Sequence, residues 1–182
     1  MKRKILAIFT LVILIALISA GSYAYFVQAD AATSRITSGG VSIEVYTKGA
    51  DGNALPADGQ RILPGDTVQE SVTVENTCSH PVWVRVAATP TVVGKPEISA
   101  EGCLILQGLD TKNWTKQGDW YYYNKPLEPG QTTEPLFTAV HFDELKIDNT
   151  YLGEAFSLDI TGAGVQTENN GTSAVTAEGW PA

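Results

Sequence analysis

The chain has 182 residues, of which 43% are hydrophobic and 18% are charged, and its formal net charge is −8. This composition excludes a largely disordered chain, because it holds enough apolar residues to form a core. The acidic balance argues against nucleic acid as a partner, since binding to phosphates needs clustered cations. It argues equally against attraction to an anionic lipid surface.

The first 24 residues have the features of an export signal. A basic stretch at residues 2–4 precedes an almost unbroken apolar run over residues 5–18, which is shorter than a membrane span usually needs. Small residues follow the run, and their pattern predicts cleavage by signal peptidase between Ala24 and Tyr25. The alternative is an uncleaved anchor that continues through residues 23–26, and only such an uncleaved leader would place the protein in a membrane.

Cleavage at this point predicts a strongly acidic mature chain. It removes three of the 12 Lys/Arg residues and none of the 20 Asp/Glu residues, which leaves 9 basic residues and a formal net charge of −11. Whether such a surface binds divalent cations is left open, because acidic composition is usually a matter of solvation. We divide the chain into a signal peptide (1–24), an extended segment (25–40), a β-sandwich domain (41–165) and a polar tail (166–182).

Short segments of alternating apolar and polar residues, separated by Gly, Pro, Asn and Asp, run through the predicted domain. This alternation is the period of a half-buried strand. The predicted strands cover residues 41–46, 68–75, 82–86, 103–106, 120–123, 136–142 and 155–161. Their spacing predicts an all-β fold, a jelly-roll or immunoglobulin-like β-sandwich after the N-terminal signal peptide. Any helix is expected to be short, at residues 142–147 or 173–178.

The strand at residues 120–123 is aromatic throughout. Alternation places Trp120 and Tyr122 on one face and Tyr121 and Tyr123 on the other. One of these faces is expected to belong to the core. An exposed aromatic face can stack on sugar rings, so a carbohydrate- or surface-binding module is one alternative function.

Two cysteines, Cys78 and Cys103, lie in the predicted exported part. An even cysteine count outside the cell permits one disulfide, and we predict that these two residues are bridged. The alternative is a pair of reduced, half-buried thiols.

The sequence carries no recognised catalytic motif. It has two histidines, His80 and His141, and lacks the His-Glu-x-x-His zinc motif, the Gly-x-Ser-x-Gly nucleophile elbow and a glycine-rich phosphate loop. His141 lies near Asp143 and Glu144, which can bind a metal, although a solvated strand end explains the same residues. We therefore predict no enzyme activity, no catalytic residue, no cofactor and no metal.

Several short motifs together resemble a known group of exported proteins. They are Gly-Ser-Tyr-Ala at residues 21–24, Tyr-Phe at 25–26, Ile-Thr-Ser-Gly-Gly-Val at 36–41, Leu-Pro-Gly-Asp at 63–66, and Glu-Asn at 75–76. The arrangement resembles proteins that are cleaved by the SipW-type signal peptidase, which include the TasA biofilm-matrix proteins and the camelysins. The likeness covers the leader and about the first half of the mature chain.

The resemblance implies a jelly-roll sandwich, export to the cell surface and, in many members, assembly into fibres. In the fibre-forming members the N-terminal segment of one subunit inserts as a strand into the next. Here that segment is residues 25–40, with Phe26, Val27 and Ile36 as apolar anchors. The implied partners are other copies of the chain and a signal peptidase. Two alternatives remain: the segment forms the first strand of its own domain, or the chain is a camelysin-like surface metallopeptidase.

Overall fold

Two antiparallel β-sheets face each other across an apolar core. The computed structural model describes residues 35–38, 41–49, 52, 63–151 and 154–181, and at 35–38 it describes the backbone alone. The strands among these residues are β1 Arg35–Ser38, β2 Val41–Gly49, β3 Thr67–Asn76, β4 Val82–Val92, β5 Leu104–Gln107, β6 Trp114–Gln117, β7 Trp120–Tyr123, β8 Ala139–Phe142 and β9 Phe156–Gln166. The all-β sandwich predicted from the alternation is confirmed.

In both sheets some neighbouring strands are far apart in the sequence. One sheet has five strands in the order β1-β2-β3-β8-β5, and the other has four in the order β6-β7-β4-β9. β1 and β5 are therefore the two edges of the five-stranded sheet. After β3 the chain changes sheet at every connection except the β6–β7 hairpin, so both halves of the sequence build both sheets.

The core consists of the inward residues of long alternating strands. Every second residue of β2 from Val41 to Thr47 is buried, and β3 and β4 contribute Val72, Val74, Val82 and other valines. β-branched side chains pack well on a pleated, half-buried surface, and they define the register because a shift of one residue would expose them all.

One strand and one of the two predicted helical segments differ from the sequence prediction. β6 was not predicted, because Trp114-Thr-Lys-Gln has one apolar residue and no alternation that marks a buried face. It pairs with β7 through the two-residue loop Gly118-Asp119, in which only Gly118 has a positive φ, the conformation of a type II′ hairpin turn. Residues 142–147 form a strand end and a turn, whereas the 3₁₀ turn Ala174–Thr176 lies inside the other predicted helical segment.

The segment before the predicted domain contributes a strand to the domain itself. β1 pairs antiparallel with β2, and Ile36 is the partner of Ile43. Residues 35–38 therefore form the first strand of the domain's own sheet, as in the alternative to strand addition. The predicted role of Ile36 as an anchor stays a prediction. Phe26, Val27 and the predicted cleavage site between Ala24 and Tyr25 lie outside the described residues.

The C-terminal tail folds back on the outer face of the four-stranded sheet. Ala174 and Ala177 are buried there against Trp83 and Val165. The indole N–H of Trp83 donates to the carbonyl of Asn170 at 2.9 Å. Within the described ranges, no helix is long and apolar enough to cross a membrane.

Candidate functional site

The two long sides of the sandwich are built differently. On one side β2 packs closely on β9, where glycines at 162 and 164 face the core. A Cβ at Gly162 would lie 2.5 Å from Cγ2 of Val45, and one at Gly164 would lie 2.9 Å from Cγ1 of Val41. The absence of side chains at these two positions lets the sheets approach each other, so this side is closed.

The opposite side is open. A cleft of about 850 Å³ lies between β5, the end of β4 and the loop that joins them, and it reaches Lys116 and Tyr121. Its apolar lining includes Ala88, Pro90, Val92, Ile98, Leu104 and Leu106. Leu104 and Leu106 pack on the core but remain half-buried, so part of the core is uncovered at this point.

β5 presents an unprotected strand edge to this cleft. The N–H of Asp143 donates to the carbonyl of Cys103 at 2.9 Å. Along an antiparallel strand the backbone groups of successive residues point alternately toward and away from the neighbouring strand, so this bond shows which residues of β5 face β8. The backbone groups of Leu104 and Leu106 therefore point away from β8. β5 has no charged residue, and Ile105 on its outer face is 42% exposed. Natural edge strands are usually protected by charge, proline or a covering element, so an uncharged edge beside an apolar cleft is suited to pairing with another strand.

The end of β4 forms a second edge of the cleft. β7 pairs with β4 only as far as Ala87, so the β4 residues beyond it have β9 on one side and the cleft on the other. The N–H of Val93 bonds to Ala155 on the β9 side, so the backbone of even-numbered residues such as Pro90 faces the cleft. Pro90 has no N–H to offer there, and proline in a strand is typical of such an edge. β5 is therefore the better edge for an added strand.

The loop between β4 and β5 forms the end wall of the cleft. Lys95 in this loop makes an ion pair with Glu154 at 2.5 Å. The hydroxyl of Tyr151 donates to the carbonyl of Ser99 at 2.7 Å. Ala100 is buried against the core. These contacts hold the wall in place from the β9 side.

The residues considered for metal binding do not converge. His141 Nδ1 lies 3.0 Å from the hydroxyl of Thr67, and its Nε2 lies 3.5 Å from a carboxylate oxygen of Glu144. His80 lies in the loop after β3, next to the hydroxyl of Ser79. In the part of the chain that the structure describes, no group of three His, Cys, Asp or Glu residues is placed to hold a metal ion.

The predicted disulfide between Cys78 and Cys103 is not formed, and both residues are free thiols. Cys78 follows the C-terminal end of β3, where its sulfur accepts from the N–H of Ser42 at 3.0 Å. Cys103 precedes β5 and lies beside Asp143, at the end of the sandwich where β3 begins. The length of β3, about 30 Å, therefore separates two residues that a bridge requires within about 7 Å. The even cysteine count was not sufficient to predict the bridge.

The aromatic strand divides as predicted. Tyr121 and Tyr123 are buried in the core, while Trp120 and Tyr122 lie half-buried on the outer face. On that face the guanidinium of Arg85 lies between two indoles, 3.9 Å from the ring centroid of Trp120 and 4.8 Å from that of Trp180 in the tail. Protein groups therefore already stack on the aromatic surface that was considered for sugar binding.

The fold and the cleft together define an all-β sandwich that is closed on the side where β2 packs on β9 and open on the side of β5. The chain belongs to the camelysin metallo-endopeptidase family, whose profile matches residues 1–102, more than half of its length. This confirms the resemblance to the camelysins that the sequence motifs suggested. No curated protein matches the chain, and no solved structure matches it.

The matched stretch does not form a unit by itself in the structure. It contains β1 to β4 and ends just before β5, yet β4 lies between β7 and β9, and β3 pairs with β8. The strands after residue 102 complete both sheets, and they provide the β5 edge of the cleft.

Proposed function

We propose that this protein is an exported surface or matrix protein whose copies join by strand addition. In this arrangement the segment over residues 25–34 of one copy pairs with the open edge of β5 in the next. The observation that carries the proposal is the uncharged β5 edge beside an apolar cleft. Membership of the camelysin family and the signal-like leader support export.

The positions of β1 and β5 favour a partner over self-insertion. They are opposite edges of the same five-stranded sheet, about 19 Å apart at ordinary strand spacing. The segment would use about six extended residues to cross its own sheet, which leaves about four of its ten for pairing with its own β5. A segment that pairs with a neighbouring copy does not have to cross its own sheet, so its whole length can lie in that copy's cleft.

The same placement predicts a linear assembly. The donor leaves one edge of the subunit and the acceptor lies on the other, so the contact is head-to-tail. Head-to-tail contacts generate rings or open filaments. Backbone hydrogen bonds to the edge provide affinity, and alternate side chains such as Phe26 fill the cleft.

We expect the mature chain from Tyr25 onward to form sedimentable polymers and a variant that lacks residues 25–33 to remain monomeric. The deletion leaves β1 intact, so its free energy of unfolding should match that of the parent within about 0.5 kcal/mol. Sedimentation and electron microscopy at matched concentrations test this expectation.

The acceptor edge is tested by Ile105→Lys, which places a charge on β5 and should block assembly. Val93→Lys is the matched control, because Val93 is 46% exposed and lies in the neighbouring loop rather than on the edge. Polymers formed equally well by the deletion variant would refute the role of the N-terminal segment. Polymers formed by Ile105→Lys as readily as by Val93→Lys would refute β5 as the acceptor.

The name of the family favours a second candidate, a metallo-endopeptidase. We expect instead that the purified chain has no zinc-dependent peptidase activity, because among the described residues only Glu144, at 3.5 Å, lies within ion-pair distance of His141 and no three possible ligands converge. A protease assay over a zinc titration measures this, with His141→Ala and Glu144→Ala compared with the parent. Activity that survives purification and is lost in either variant would establish the peptidase.

A further inference from the structure

One basic residue, Lys116, lines the cleft, and its side chain is exposed to solvent. Lys116 lies on β6 opposite Tyr121, on the face where Trp114 and Tyr121 are buried. Its ammonium group is 5.2 Å from the ring centroid of Tyr121, and it lines the cleft. Among the described residues it has no acidic partner within ion-pair distance. Lys116 is thus the one basic residue in the described lining of the cleft, which also contains the carboxylates of Asp119 in the β6–β7 turn and of Glu101 in the loop between β4 and β5.

The proposed donor segment has one charged side chain that can pair with Lys116. Residues 25–34 read Tyr-Phe-Val-Gln-Ala-Asp-Ala-Ala-Thr-Ser, in which Asp30 has the only charged side chain. In an extended strand, Phe26 and Asp30 point to the same face because they are separated by an even number of residues. One face of the segment thus carries an aromatic ring and a carboxylate about 13 Å apart.

The dimensions of the cleft match this spacing. Lys116 is level with Val86, because both residues pair with Tyr121. From that level the cleft follows β4 to Val92, about 20 Å further. A segment with Asp30 beside Lys116 places Phe26 four residues deeper, level with Pro90 in the apolar part of the cleft.

We propose that Lys116 sets the register of the incoming strand by an ion pair with Asp30 of a second copy. The inference rests on the proposed function, because it names the residue that selects the donor at the same cleft. The donor then runs parallel to β5, with its N-terminus toward the loop that joins β4 and β5. The chain leaves past Lys116 and continues into β1 of its own subunit.

A charge swap in the full mature chain tests the ion pair. The variants are Lys116→Glu, Asp30→Lys, the double swap of both residues, and Lys112→Glu as a control that changes a nearby exposed lysine outside the cleft. Each single change in the proposed pair opposes like charges and should raise the concentration needed for assembly about 10-fold or more. The double swap should bring it back to within about 3-fold of the parent, and the control should match the parent. Chemical denaturation of each monomer verifies that the variants are folded.

Each result separates the two proposals. Assembly of Lys116→Glu at the parental concentration, or a double swap no better than its single changes, would overturn the register assignment while the strand-addition model stands. Failure of the parent itself to assemble would overturn the proposed function and this inference with it. If the single variants assemble poorly and the double swap restores assembly, Lys116 is established as the residue that sets the register of the donor strand.

Discussion

Replacing Asn76 by alanine should destabilise the fold more than the loss of a single contact would suggest. Asn76 is fully buried at the C-terminal end of β3. Its amide donates to the carbonyls of His80 at 2.9 Å and Leu127 at 2.8 Å, and its Oδ1 accepts from the N–H of Cys78 at 2.9 Å. One side chain thereby joins β3, the turn that leads to β4, and the segment before β8.

The expected cost of Asn76→Ala is about 3 kcal/mol or more, because the change leaves buried backbone groups without partners and opens a small cavity. Urea unfolding of the purified domain measures it. Asn124→Ala is the matched control. Asn124 is exposed, although its amide donates to Lys112 and its Oδ1 accepts from Thr115. The control should lose less than about 1 kcal/mol. Equal losses of unfolding free energy in the two variants would show that the buried hydrogen bonds of Asn76 stabilise the fold no more than the exposed ones of Asn124.

Replacing Glu70 by glutamine should make the protein more stable above neutral pH. Glu70 is 8% exposed on the core face of β3, and burial raises the pKa of its carboxyl from 4.5 to about 7. No hydrogen bond or ion pair to this carboxyl is present among the described residues. A charge at this position is therefore costly, and in the folded protein the carboxyl stays mostly protonated at pH values below about 7.

The sign of the pH effect follows from the raised pKa. The full stability is present below pH 4.5, where the carboxyl is protonated in both states, and it falls as the pH rises through 7. The total loss is about 3 kcal/mol, at 1.36 kcal/mol for each pKa unit.

The measurement is the free energy of unfolding of the parent and of Glu70→Gln at pH 4 and pH 8.5. The difference between the two proteins should grow by about 3 kcal/mol over this interval, to the advantage of the variant. Glu97→Gln, which removes an exposed carboxylate, should give a difference that hardly changes with pH. If the difference in unfolding free energy for Glu70→Gln also stays constant between pH 4 and pH 8.5, the carboxyl of Glu70 is solvated or paired in solution.

The strands that could be predicted are those whose own residues alternate. β7 was predicted with its exact bounds, and β2, β3 and β4 were predicted in their apolar centres, because side chains on a half-buried strand must alternate wherever it lies in the sheet. β6 was missed because most of its residues are polar and exposed, and its stability comes from pairing with β7. The Gly118-Asp119 pair before Trp120 was the local signal that could have indicated a hairpin.

The cysteine prediction failed for a different reason. Cys78 and Cys103 each lie beside a predicted strand, and nothing local to either residue says at which end of the sandwich it lies. Their separation depends on β5 returning to the starting end of β3 through β8, a pairing between residues far apart in sequence. The sequence likewise left open whether the segment over residues 25–40 forms the first strand of its own domain, and the structure shows that residues 35–38 pair with β2.

The sequence by itself determined the all-β class, the inward faces of the long strands and the resemblance to the camelysin family. These properties depend on local periodicity and short motifs, which each segment carries independently of its neighbours. Only the tertiary structure decided that the sandwich is closed by glycines against β2 and open beside β5. That difference arises from how strands distant in sequence are arranged: β2 packs on the glycines of β9, β7 ends its pairing with β4 at Ala87, and β5 lies at the edge of its sheet. No segment contains this information alone, because an edge is defined by the strand that is missing beside it.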